Sequence, residues 1–198
     1  FVLDFSRADI RQEIYNSMAT LIKNAPIVYI KWDMNRSLTE IFSQTLPANQ
    51  QQEVFHRYVL GLYDFLEKMT NEFPHVMFEN CCSGGGRYDP GMLHYMPITW
   101  TSDTADAITR LTIHYGTSIL YPTSTLSAHI AASPYGMTGR IIPFETRVNS
   151  ALFGSGFGLQ LDINLLTTEE LTLAKKAIQT YHEIEHIVNM LDELKLMA

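Results

Sequence analysis

Two carboxylates in this sequence stand where they could do chemistry together. Asp33 lies near the end of VYIKWDMNR, residues 28 to 36, and Asp103 closes PITWTSD, residues 97 to 103. Side chains on a strand alternate between faces, so Lys31 and Asp33 point one way and Ile30 and Trp32 the other, with Asn35 just past the strand end. Opposite charges on an interior face are costly unless paired or used. Two facing carboxyl groups suit glycoside hydrolysis, in which an ionised group attacks the sugar and a protonated group donates to the leaving oxygen. Their surroundings differ in the needed direction: Lys31 favours a charged Asp33, whereas Asp103 follows Trp100 with no basic residue close in sequence. Asp33 is therefore read as the nucleophile and Asp103 as the acid. Trp32 and Trp100, each beside one of the carboxylates, are candidates to line a sugar site. An aspartate at a strand end also serves as an ordinary helix cap, and spacing alone leaves that reading open.

A second constellation is ENCCSGGGR, residues 79 to 87. Glycines after a strand let backbone approach a ligand and expose N–H donors. The expected loop holds sugar hydroxyls, with Cys81 on the inward face and Arg87 as its anchor. Neither phosphate-binding glycine spacing, G-x-x-x-x-G-K-[ST] or G-x-G-x-x-G, is present. HEIEH, residues 182 to 186, matches the H-E-x-x-H zinc pattern and would make a metallopeptidase the reading from a different class. Its context argues for a solvated helix face instead: Glu185 adds a charge, and Asn189 and Asp192 break the extended motif. His94, His114 and His129 have no metal spacing and read as packing or hydrogen-bonding residues.

The elements that must position these groups follow from periodicity. Apolar runs at 1–5, 27–33, 75–81, 97–103, 118–124 and 157–163 predict six strands. Between the first two, Ser6 and Asp9 are spaced as a capping box, Ile10, Ile14, Leu21 and Ile22 form a helical stripe, and Asn24 and Pro26 stop it. Val54, Tyr58, Leu62, Phe65, Leu66 and Met69 form a second stripe; Ile108, Leu111, Thr112 and Tyr115 a third. Thr167 to Glu170 opens a last helix. Strands alternating with helices make parallel βα units. Asp4, Asp33, Cys81 and Asp103 at four strand ends favour a (β/α)8 barrel over an open sheet, of which this chain would supply about the last six units.

Composition bounds the partners. The chain has 198 residues, 46% of them hydrophobic, enough for one core, and a net charge of −7 that disfavours a nucleic-acid surface. No run approaches the ~18–20 apolar residues of a membrane span, so a soluble chain is expected. Cys81 and Cys82 are adjacent, which rarely suits a disulfide, so both read as reduced thiols, as in a cytoplasmic protein.

IVYIKWDMNR, ENCCSGGGRYD, GMLHYMPITWTSDTADAITRL, HYGTSILYP and the later TGR-x-x-P-x-E-T-R run, in this order, closely resemble the α-galactosidases of glycoside hydrolase family 36 over essentially the whole chain. The resemblance implies a retaining α-galactosidase with a (β/α)8 catalytic domain, residues 1–198 being its C-terminal portion. It would act on raffinose- or melibiose-type galactosides without cofactor or metal, as a homo-oligomer when full length. An α-galactosyl transferase using the same covalent step is the alternative within the family. By position the nucleophile falls on Asp33, the acid/base on Asp103, and sugar contacts on Lys31, Asn35, Cys81 and Gly84. Further family sugar contacts, an aspartate pair and a tryptophan, would lie before Phe1. This chain departs from the family in reading S-D-T-A-D where S-D-N-T-D is common, C-C-S-G-G-G-R where C-S-G-G-G-G-R is common, and Ile98 where Gln is common.

Overall fold

The computed structural model describes residues 2–39 and 41–195, with side chains described as far as Ile187. Helices and parallel strands alternate: α1 (Ala8–Asn24), β1 (Tyr29–Asp33), α2 (Val54–Glu72), β2 (Met77–Cys81), α3 (Pro90–Tyr95), β3 (Ile98–Thr99), α4 (Ala107–Ser118), β4 (Ser127–Ala131), α5 (Phe144–Ala151), β5 (Gly156–Gln160) and α6 (Thr168–Lys195). β1, β2 and β3 pair side by side in chain order, and so do β4 and β5. A parallel bridge from Thr99 to Leu126 links the two groups. Every strand thus follows its predecessor in the same direction, the arrangement that helical crossovers impose.

The helices pack on one side of this arc. Ile30 and Trp32 of β1 and Phe78 of β2 meet the predicted α2 stripe, with Trp32 5.2 Å from the Phe65 ring. On the other end of the arc, Ala128 and Ile130 of β4 meet Phe144 and Val148 of α5 and Ala174 and Ala177 of α6. Alternation then sends Lys31, Asp33, Glu79 and Cys81 to the face away from the helices.

Several expectations need correction. Residues 2–4 are in no strand among the described residues, and Phe5 and Ser6 form a turn; Phe1 lies outside the described residues. Phe5 instead buries its ring against Tyr58 and Phe65, while its carbonyl accepts from Arg11 at 2.7 Å. Asp4 therefore ends no strand and accepts from the Ser6 N–H and hydroxyl. That contact takes Ser6 from its predicted capping role: Arg7 is the N-cap of α1, and Asp9 pairs with Arg7. The run at 118–124 is the end of α4 and a turn, with Ile119 and Leu120 exposed. The strand lies at Ser127–Ala131, whose small and polar residues carry little apolar signal. On α4 the predicted stripe faces outward: Ile108, Leu111 and Tyr115 are exposed, and Ala107, Arg110 and His114 are buried. Arg110 wins the inner face because its guanidinium lies 3.7 Å from the Trp100 ring and donates to Thr101 at 2.8 Å. The cap of α6 is as predicted, with Glu170 N–H donating to Thr167 Oγ1 at 3.2 Å and Glu170 Oε2 accepting from Thr167 N–H at 3.0 Å.

Candidate active site

Asp33 and Cys81 are register partners at the ends of β1 and β2. Asn35 Nδ2 donates to Asp33 Oδ2 at 2.8 Å, and the Cys81 thiol donates to the same carboxylate. Burial is the largest influence on Asp33 and pushes its pKa up. It is outweighed by the hydrogen bonds from Asn35, Cys81 and the Met34 N–H, with the charge of Lys31 adding to them, so the carboxyl is held below its usual range. The carboxylate is therefore ionised, as the sequence led us to expect, but the cause is corrected: hydrogen bonding leads and Lys31 comes last. Burial also raises the Cys81 thiol to about 11, helped by Asp33, so Cys81 stays a neutral S–H donor.

Lys31 is occupied elsewhere. Its Nζ lies 3.6 Å from Glu79 Oε1, in register one step below Asp33 and Cys81, and 4.8 Å from the Trp100 ring centre. Glu79 is 1% exposed and accepts from the Tyr29 hydroxyl. Burial raises its pKa to about 7 against opposing help from Ser127 and Arg110. Glu79 was missed, although a carboxylate two residues before Cys81 in an apolar strand is a legible same-face signal. Trp32 belongs to the helix-side core, away from the Asp33 face where it was expected to line a sugar site, whereas Trp100 is buried, stacked on His129 at 4.4 Å and clustered with Cys81.

Asp103 lies on the loop beyond β3, with its side chain exposed. The glycine loop sits directly against that segment. A Cβ on Gly84, whose φ is +84°, would meet Ser102 Cα at 2.6 Å and Asp103 N at 3.1 Å, and one on Gly85 would meet Thr101 O at 3.0 Å. Glycine is needed here for conformation and for closeness. Gly84→Ala is expected to destabilise the intact protein by about 2–4 kcal/mol, combining left-handed strain with overpacking against backbone. A denaturant midpoint unchanged from wild type would show that the two loops are not in this contact.

Asn35 completes the connection. Its Oδ1 accepts from the Ser83 N–H at 3.0 Å and the Ser83 hydroxyl at 3.3 Å while its amide holds Asp33. Arg87 anchors the loop as predicted, donating to Cys81 O at 2.9 Å and Trp32 O at 3.3 Å. Asp33 is thus tied through Asn35 to the loop that Gly84 packs against the backbone of Asp103. Two clefts of about 550 and 690 Å³ are lined by Arg36, Leu38 and Tyr58 among others; the first also reaches Met34, Cys82 and Ser83 beside the Asp33–Asn35 link, and neither includes Asp33 or Asp103.

His182 and His186 of HEIEH are both exposed on α6, with His182 Nδ1 3.8 Å from Glu185. Among the described residues no group of three or more His, Cys, Asp and Glu could hold a metal ion. No helix among them is long and apolar enough to cross a membrane.

The Melibiase family model matches residues 1–190. The chain is 48% identical over 187 residues to alpha-galactosidase AgaA of Geobacillus stearothermophilus, covering 94% of this chain and 26% of that protein. It is 46% identical over 189 residues to alpha-galactosidase 1 of Pediococcus pentosaceus, covering 95% and 26%. The crystal structure of the GH36 alpha-galactosidase AgaA matches with a TM-score of 0.91 at 47% identity, over 95% of this chain and 26% of that one. The alpha-galactosidase from Lactobacillus brevis matches with a TM-score of 0.92 at 43% identity, over 96% and 25%. Variants of AgaA carrying aspartate substitutions have been solved in complex with raffinose and with stachyose. The chain spans about a quarter of the length of these relatives.

Proposed function

The chain belongs to the Melibiase family, and from that premise we propose that it carries both catalytic carboxylates of a retaining α-galactosidase acting on raffinose- or melibiose-type oligosaccharides. The observation that carries the reading is the pairing of an ionised Asp33, gripped by Asn35 and Cys81, with Asp103 on the loop packed against Gly84. The relatives add support. The two aspartates substituted in the raffinose and stachyose complexes lie as far apart in that protein's sequence as Asp33 and Asp103 do in this one.

In the proposed cycle Asp33 attacks the anomeric carbon from the β face while Asp103 protonates the departing glycosidic oxygen, leaving a β-linked galactosyl ester on Asp33. Asp103 then takes a proton from water, which attacks from the α face and frees the Asp33 carboxylate. Asn35 and Cys81 hold the Asp33 carboxylate in place. Lys31, Asn35, Cys81 and Gly84 are proposed as sugar contacts. Cys81 at a strand end, Asn35 and Gly84 on the loops beside Asp33, and Lys31 one step below it on the same face support this.

We further read the five parallel strands as an arc of a (β/α)8 barrel, to which this chain contributes the C-terminal portion. Sequential parallel neighbours, helices on one face and polar residues on the other support it. Exposed Ile108, Leu111 and Tyr115 support a homo-oligomer, and the two free thiols a cytoplasmic setting. The test is the anomer first released from an aryl α-galactoside by the intact protein, followed by proton NMR. α-Galactose should appear before mutarotation produces the β form. Initial β-galactose would replace double displacement with direct water attack, and absence of turnover on any α-galactoside would end the proposal.

A further inference from the structure

We infer that Tyr135 is a positioning residue for Asp103, an assignment that rests on reading Asp103 as the acid. The Tyr135 hydroxyl donates to the Asp103 carbonyl oxygen at 2.8 Å and accepts from the Ala105 N–H at 2.8 Å. One oxygen therefore closes the chain on both sides of Thr104, whose own N–H is held by Ser102 Oγ at 3.2 Å. The Asp103 carboxyl is exposed, so its place is set by the backbone that carries it.

Tyr135 is itself well braced. It packs against the buried cluster of Cys81, Trp100, Ala105 and Ala131, which includes the thiol partner of Asp33. Its N–H donates to Arg140 O at 3.0 Å, and its carbonyl accepts from Gly139 N–H at 2.7 Å, where φ of +66° suits glycine. Thr138 and Arg140 of the same turn bind Asp106, the fully buried cap of α4, Thr138 at 2.8 Å. The turn thus grips the chain just after Asp103 while Gly84 confines it just before. A general acid acts only within hydrogen-bonding reach of the leaving oxygen, and a displacement of ~1 Å costs about a hundredfold.

Tyr135→Phe keeps the ring and removes only the bridging oxygen. The measurement is kcat/KM of the intact protein on raffinose, whose leaving group needs a proton, and on a dinitrophenyl α-galactoside, whose leaving group does not. Loss of about 10- to 100-fold on raffinose, with the dinitrophenyl substrate changed less than about twofold, is expected. The second substrate also counts folded, nucleophile-competent molecules. An equal loss on both, or none on raffinose, overturns the assignment. Asp103→Asn is run alongside. If it separates the two substrates and Tyr135→Phe does not, only the role of Tyr135 falls; if Asp103→Asn does not separate them, the acid reading falls and takes this inference with it.

Discussion

Asp33→Gly in the intact protein is expected to lower kcat/KM on raffinose by about 10⁴-fold or more, because the proposed attacking group of the first step is gone. That corresponds to roughly 5.5 kcal/mol of lost transition-state stabilisation. The space left on the β face lets azide displace an activated aryl leaving group directly, so activity on such a substrate should return with azide and yield β-galactosyl azide. Gly is preferred to Asn because a bulky amide held by Asn35 and Cys81 would fill the position azide must take. Product anomer by NMR decides the matter. A variant that retains raffinose hydrolysis would remove Asp33 from the reaction.

Asp103→Gly should behave in the complementary way. On raffinose, kcat/KM is expected to fall by about 10³-fold, within the range for loss of a general acid, whereas an activated aryl galactoside loses less than about tenfold. Its slow step becomes opening of the ester on Asp33, since no base assists water. Azide needs no deprotonation and can attack the ester from the α face, giving α-galactosyl azide and a faster turnover. Exchanged anomers between the two variants would reverse the roles of the carboxylates.

How far the sequence revealed this arrangement depended on the range of each interaction. The alternation in VYIKWD placed Asp33 away from the helices, because its helix-side neighbours Ile30 and Trp32 are strongly apolar. The α2 stripe and the Thr167–Glu170 cap were equally local, and both are present. β4 was misplaced because SAHIA is small and polar, and its burial comes from neighbours distant in sequence. The inner face of α4 was misread because a stacked Arg110 displaced the apolar residues expected there. Lys31 does favour a charged Asp33, but as the last of several causes rather than the first, because register sets it against Glu79. Tyr135 gave no local signal, since its two bonds reach residues about thirty positions back.

The contact of Gly84 with Ser102 and Asp103 bears on how such a site can change over time. Loops at strand ends ordinarily accept insertions independently, which is how one scaffold comes to serve many substrates. Here lengthening the glycine loop would push on the backbone of Asp103, a residue in another loop, and through Asn35 would also pull on Asp33. The two loops can therefore diversify only in concert, and new leaving-group preferences have to be introduced from chain segments outside this pair.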